Sequence, residues 1–256
     1  EASMSEPITD QHVDEYLTQG FTVFRRILPT SLIADLRRVA DDAHALAKRL
    51  HGPQAQRLQP VGNHPIDQRP FRDYAELPAL VDAVRRVLGP QHAHSGGLTC
   101  LGILFHPADH PYTTGWHRDW RDGTAVPVES WREHFSDLAF FNQANCPLYD
   151  DSCTWVVPGS HLRWQDTSRE AALNRETHPA PTYAGSDVNS EHQLFDYCRS
   201  MPGAVQLRLG PGDYALYRNT LWHLGCYLPY QRRATLHDGV DTPEFLAWRR
   251  SHGWPV

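Results

Sequence analysis

The 256-residue sequence predicts a mainly β fold with flanking helices, in which short strands build a sandwich or barrel behind a helical N-terminal third. Three observations predict it. Apolar residues recur at three- and four-residue steps only up to about Pro90. Beyond that point, short apolar runs alternate with turn signals. The composition includes 20 prolines and 17 glycines, as expected of a strand-rich fold with many turns.

Taken in order, Thr9 caps a short helix that runs to about Gly20, with Val13, Tyr16 and Leu17 on one face. Phe21-Thr22-Val23-Phe24 alternates as a strand does. A longer helix starts at Pro29-Thr30-Ser31, carries Leu32, Leu36, Val39, Ala43, Leu46 and Leu50, and stops at Gly52-Pro53. Residues 53–75 are polar and irregular, and a third helix spans Pro78 to Leu88. Strands are expected at Leu98 to Phe105 and near 113–120, 137–143 and 153–157. Pro158-Gly159-Ser160-His161 is a turn. Residues 162–200 show no clear period, and a loop of that length in a compact domain is a candidate lid. Ala204 to Leu209, Tyr214 to Arg218 and Arg233 to Val240 are further strands, with Gly210-Pro211-Gly212-Asp213 as a tight turn between the first two. No linker divides the chain. One domain over 5–256 is expected, with a helical part at about 8–90 and a β core at about 97–240.

Composition narrows the function. The formal net charge is −6 and there is no basic run, which argues against nucleic-acid binding. Five cysteines, an odd number with no C-x-x-C, argue against a disulfide framework or a structural zinc site and fit a reducing cytoplasm. No basic segment followed by an apolar run suggests a signal peptide, and no stretch of about 18 apolar residues suggests a membrane span. Glu1-Ala2-Ser3 precede Met4 and are set aside from the fold argument.

The chemistry concentrates in Trp116-His117-Arg118-Asp119-Trp120, in Asn219-Thr220-Leu221-Trp222-His223, and in Arg232-Arg233. On a β-strand, a spacing of two puts His117 and Asp119 on the same face. A second histidine from elsewhere then completes two imidazoles and a carboxylate. That set holds one face of a ferrous ion and leaves the opposite positions open. A nearby arginine can clamp a carboxylate through two parallel hydrogen bonds. Alone, His117-x-Asp119 looks like any polar strand. The aromatic neighbourhood, the apolar setting of His223 and the arginine pair make the joint pattern far more specific.

In its order of W-H-x-D, V-V-P-G-S-H, a Gly-Asp turn, a strand, a histidine and an arginine, the chain resembles the phytanoyl-CoA dioxygenase family. The matching pieces are Trp116 to Asp119, Val156 to His161, Gly212-Asp213, His223 and Arg233, and the likeness covers roughly Ile8 to Val240. The resemblance implies a double-stranded β-helix, or jelly-roll barrel, with helices against one sheet. It implies iron(II) held by His117, Asp119 and His223, with 2-oxoglutarate and O2 as co-substrates. The implied reaction hydroxylates a small-molecule metabolite, releasing succinate and CO2. Desaturation, epoxidation and ring rearrangement use the same ligands, whereas a related halogenating site lacks the carboxylate that Asp119 supplies. The resemblance also places an arginine at the start of the last strand against the co-substrate's C5 carboxylate. Arg233, Thr235 and His237 share one face of that strand, and Arg232, Ala234 and Leu236 the other. The polar face suits a cavity wall, so Arg233 is the expected partner and Arg232 the alternative.

Other residues near these motifs have plainer readings. Cys226 is expected to be a small buried hydrophobe, and His161 a turn residue rather than a ligand. His106 precedes the metal motif and is a candidate for orienting 2-oxoglutarate. Arg118 is expected to face outward; Arg121 shares the ligand parity and is a candidate contact for an anionic substrate. The tryptophans offer flat apolar walls but are more often core. The competing functions are a non-catalytic jelly-roll that binds metal or a small ligand, and a metalloenzyme using its metal only as a Lewis acid.

Overall fold

The helical first third forms because its apolar residues fall on single helical faces. The computed structural model describes residues 7–94, 100–183 and 187–254. Helix α1 (Asp10–Gln19) ends at Gly20, whose φ of +86° closes the helix in the left-handed region. A side chain at Gly20 would also meet the His161 ring, so glycine is required twice over. Strand β1 (Phe21–Phe24) follows, then helix α2 (Thr30–His51), which buries Leu32, Ile33, Leu36, Val39, Ala40, Ala43, Leu46 and Ala47. A fully buried leucine of this kind contributes about 1.5–3 kcal/mol. Residues 53–75 are more regular than their composition suggests, holding strand β2 (Arg57–Leu58) and helix α3 (Arg69–Ala75). Helix α4 (Pro78–Leu88) stands as expected.

Short strands follow: β3 (Ala93–His94), β4 (Gly102–Phe105) and β5 (Tyr112–Thr113). Helix α5 (Val128–Glu133) precedes β6 (Asn142–Pro147) and β7 (Thr154–Val156). Helices α6 (Ser168–Leu173) and α7 (Val188–Arg199) lie inside the segment expected to lack regular structure. Then come β8 (Val205–Gln206), β9 (Tyr214–Arg218), β10 (His223–Tyr227), β11 (Ala234–Asp241) and helix α8 (Pro243–Ser251). The larger sheet runs β1-β9-β6-β11-β4-β2, with β3 also on β11, and the smaller runs β5-β10-β7-β8. Every named pairing is antiparallel. The architecture is thus mainly β with flanking helices, in the expected jelly-roll class.

Alternation along β11 divides the larger sheet. Ala234, Leu236 and Val240 join the core that α1 to α4 pack against. Arg233, Thr235 and His237 have the opposite parity, and Arg233 and His237 line a cavity. In register across the sheet, Thr235 pairs with Leu104 and Leu104 with Arg57. Arg57 therefore shares the cavity face. It comes from the N-terminal part of the chain, which had suggested no site residue.

Several expectations require correction. The strand near 137–143 begins only at Asn142, because Asp137 folds the preceding residues into a turn, accepting from Ala139 N at 2.8 Å and Phe140 N at 3.2 Å. The strand near 113–120 stops at Thr113, since Gly115 takes a φ of +75°. Of the strand expected over Leu98 to Phe105, residues 98–99 lie outside the described residues. Among the described residues of 162–200, Leu173, Leu194, Tyr197 and Cys198 pack with Trp116, Trp222 and Cys226 in one buried cluster. Cys226 is buried as expected. No helix among the described residues is long and apolar enough to cross a membrane.

Candidate metal centre

His117 and His223 are joined through their backbones. Each N–H donates to the other's carbonyl at 3.1 Å, an isolated antiparallel bridge that extends β10. Their rings consequently lie 4.4 Å apart, centroid to centroid. Asp119 reaches the same place from a turn rather than from a regular strand. Its N–H donates to Asn219 O at 3.0 Å, and the Asp122 carboxylate captures Arg118 N at 2.8 Å. Trp120 then takes a φ of +66°, a costly conformation for a large side chain. The two-residue spacing thus delivers both groups, though not by the strand geometry that the sequence suggested.

The donor set suits a divalent cation. His117 Nδ1 donates to Gly115 O at 2.8 Å and His223 Nδ1 to Leu221 O at 2.7 Å. Each ring is thereby fixed in the tautomer that leaves Nε2 as a lone pair. His117 Nε2 lies 3.3 Å from Asp119 Oδ1, and His223 Nε2 lies 3.2 Å from Asp119 Oδ2. Ligand atoms from all three residues fall within 4.8 Å of one another. Gln143 Nε2 and Asn219 Nδ2 both donate to Oδ2, at 2.9 and 3.0 Å, so two amides fix the carboxylate's orientation. Burial pushes the Asp119 carboxyl up, but the facing imidazoles of His223 and His117 outweigh it and hold it well below the usual range. Burial, then His223, lowers His117 below an ordinary imidazole. Burial also opposes charge on His223, yet Asp119 overcomes it and raises that ring. An ionised carboxylate beside an imidazole that resists protonation is the state that binds a metal.

The triad opens onto a cavity of about 110 Å³, whose wall includes Arg57, Tyr227, Arg233 and His237. Gly225 makes room for this wall, because a side chain there would overlap the Tyr227 ring. Arg233 Nε donates to Asp151 Oδ2 at 3.0 Å, and its guanidinium lies over the Tyr227 ring at 4.7 Å. Its terminal amino groups make no hydrogen bond to protein among the described residues. Asp151 is held in turn by Thr235 Oγ1 at 2.6 Å and Cys153 N at 2.8 Å. Arg232 points elsewhere, pairing with Asp41 at 2.8 Å on the surface. His237 donates from Nδ1 to Asn145 Oδ1 at 2.8 Å, and burial, then Arg57, lowers its pKa to about 3, so it stays neutral.

The other named residues sort clearly. His161 is bound to Leu17 O at 3.0 Å, outside the cavity wall. His106 Nδ1 accepts from Arg233 N at 3.2 Å and so touches the backbone of the arginine rather than the cavity. Arg118 is fully buried, contrary to expectation, because its guanidinium caps Arg163 O and Thr220 O. Arg121 spends its donors on Asp122 and Asp166. Sequence reasoning missed Arg57 and Gln143, and gave Asn219 no role beyond its place in the stretch leading to His223. An amide or a lone arginine carries no spacing signal, and only tertiary structure brings these three to the carboxylate and the cavity.

Solved structures share this architecture. HygX from Streptomyces hygroscopicus, with nickel and 2-oxoglutarate bound, is 16% identical over 93% of this chain and 88% of that one, with a TM-score of 0.63. EctD from S. alaskensis, with bound Fe, is 16% identical over 92% and 77%, with a TM-score of 0.58. SnoN, the non-heme alpha ketoglutarate-dependent epimerase from nogalamycin biosynthesis, is 16% identical over 91% and 80%, with a TM-score of 0.55. At such identities the likeness speaks for the fold. No curated protein matches the chain. The family model described as phytanoyl-CoA dioxygenase matches residues 16–225, which takes in α2, both histidines and Asp119. The chain belongs to the phytanoyl-CoA dioxygenase family.

Proposed function

We propose that the chain is an iron(II)- and 2-oxoglutarate-dependent oxygenase that uses O2 to hydroxylate a small-molecule metabolite, releasing succinate and CO2. The observation that carries this reading is the convergence of His117 Nε2, His223 Nε2 and the Asp119 carboxylate on a cavity that Arg233 also lines. His117, Asp119 and His223 would hold the iron. Bound there, the iron supplies one-electron and O2 chemistry that no side chain provides. The chain's own work is positional. The backbone carbonyls of Gly115 and Leu221 fix both imidazole tautomers, and Gln143 and Asn219 fix the carboxylate. Arg233, braced by Asp151, offers its terminal donors to the distal carboxylate of 2-oxoglutarate, a bidentate geometry to which guanidinium is suited. The retained carboxylate of Asp119 fits hydroxylation rather than halide transfer.

Anaerobic addition of 2-oxoglutarate to the ferrous protein should produce the weak visible charge-transfer band of a metal-bound 2-keto acid. Admission of oxygen with a metabolite panel should then release succinate, and 18O2 should label a hydroxylated product. No band and no succinate would refute the reading in favour of a ligand-binding or non-oxidative jelly-roll. Succinate with an unlabelled rearranged product would keep the enzyme class and replace hydroxylation.

A further inference from the structure

A second cavity of about 150 Å³ adjoins the metal centre, and Gln143 and His237 belong to both walls. Strand β11 runs beneath the pair. Arg233 and His237 face the first cavity, and His237, Gly239 and Asp241 the second. Asn219, whose amide grips Asp119 Oδ2, also faces the second cavity. Anything bound there therefore lies one side chain from the proposed iron.

Hydrogen-bond accounting defines what this compartment accepts. A carboxylate only accepts, so the nitrogen ends of Gln143 and Asn219 must face Asp119, leaving Oε1 and Oδ1 as acceptors. Gln59 Nε2 donates to the Cys100 carbonyl at 2.6 Å, which leaves its Oε1 as a third acceptor. This arrangement depends on Gly102, because a Cβ there would lie 2.7 Å from the Gln59 Cδ. His237 spends its Nδ1 proton on Asn145 and keeps Nε2 as a fourth acceptor. Each of these side chains thus keeps an acceptor atom to spare, while the amide nitrogens retain a second N–H and the Arg249 guanidinium also lines the wall. The acidic group in the wall is already matched, since Asp241 pairs with Arg249 at 3.1 Å. With Asp241 and Arg249 matched to each other in the wall, an ion of either sign entering here would be desolvated without an unmatched counter-charge, which is costly. Trp120 and Phe245, edge to face at 86°, supply the apolar part of the wall.

We infer that this second compartment binds the compound that is oxidised, and that it takes a neutral ring bearing several hydroxyl groups. The hydroxyls donate to Gln59, Gln143, Asn219 and His237, and the C–H face lies on the aromatic wall. The inference rests on the metal centre being the reacting centre.

The test is saturation-transfer NMR with the full chain, both metal-free and loaded with zinc and 2-oxoglutarate. The probes are myo-inositol and methyl glucosides, against cyclohexylammonium and cyclohexanecarboxylate. The neutral polyols should receive saturation and the two ions should not. Gln59→Leu removes one acceptor and should weaken polyol binding about tenfold, with its folding checked by thermal melting. Gln59→Glu adds a charge and should swing preference toward cyclohexylammonium. Preference of the wild-type chain for either ion, silence of every probe, or polyol binding unaltered by Gln59→Leu would each overturn the inference. Polyol binding in a protein that shows no 2-oxoglutarate band would sink the reading of the metal centre but not the compartment. A normal band with no polyol binding would do the reverse.

Discussion

Removing the Arg233 guanidinium has two separable consequences, one for folding and one for co-substrate binding. The side chains of Arg233 and Asp151 are each 4% exposed and meet at 3.0 Å. Deleting one partner of such a pair leaves a buried charge, at a cost of about 3–5 kcal/mol. Thr235 Oγ1 and Cys153 N still hold the Asp151 carboxylate, which favours the lower end, about 3 kcal/mol. Arg233→Met should therefore shift urea unfolding, followed by tryptophan fluorescence, by that amount. Pairing it with Asp151→Asn removes both charges and should restore stability to within about 1.5 kcal/mol of wild type. Co-substrate binding should not recover. Two charge-assisted hydrogen bonds at about 1.5–3 kcal/mol each correspond to a loss on the order of 100-fold or more in 2-oxoglutarate affinity. The anaerobic charge-transfer band, titrated with 2-oxoglutarate, reads that affinity directly. A double variant that binds 2-oxoglutarate like wild type would refute the role given to Arg233. A single variant as stable as the double would refute the energetics. Arg232→Ala is the control: its partner Asp41 is an exposed surface aspartate, so stability should change by less than about 1 kcal/mol and the titration not at all.

Three further outcomes follow from the same structure. Ferrous or nickel ion added anaerobically at about 100 times its dissociation constant should stabilise the chain by about 2.7 kcal/mol, a rise of roughly 5–10 °C in Tm; Asp119→Ala or His223→Ala should abolish the rise, and a rise that persists would place the ion elsewhere. Arg57 faces the cavity and no acidic partner is seen for it among the described residues. With Arg233 balanced by Asp151, the dianionic co-substrate, the dication and Asp119 leave one negative charge that Arg57 cancels. Arg57→Gln should therefore weaken 2-oxoglutarate binding and flatten its salt dependence, which band titrations at two ionic strengths will show. Asp238 is 1% exposed, and neither carboxylate oxygen has a hydrogen-bond partner among the described residues. Burial, then the nearby Asp241, raises its pKa well above the usual carboxylate value. The folded state then holds the proton more tightly than the unfolded chain, so this contribution is complete at low pH and is lost as pH rises through the folded-state pKa. Asp238→Asn should melt higher than wild type at pH 8, by at least about 2–4 °C for each kcal/mol gained, with the difference closing toward pH 4; equal melting at both pH values would contradict this.

Legibility in the sequence depended on whether a feature was local. Parity along β11 was readable because alternating polar and apolar residues survive in any buried strand; the structure has Arg233 in the cavity wall and Arg232 on the surface beside Asp41. His117 and Asp119 were readable as a pair but for an incomplete reason, since the turn set by Gly115 and Asp122 is what turns the carboxylate toward the rings. Helices α6 and α8 carry local signals of their own. Thr167 with Glu170 forms a capping box, and Thr242 before Pro243 is a capped helix start. Arg118 deceived because alternation assumes a two-sided strand with one wet face, and here the loop after Arg163 covers the other side. Arg57, Gln143 and Asn219 were beyond reach, because their roles exist only once distant segments meet.

The mutual backbone bridge between His117 and His223 means that the pincer closing on the ion is part of the sheet itself and is not borrowed from a loop. Its jaws are set when the strands register, before any ion arrives. The residues beyond the Asp119 turn, from Gly123 through α5, can therefore be exchanged or reshaped to admit a different compound without loosening the grip at the centre. One scaffold can in this way serve many chemistries while its grip stays the same.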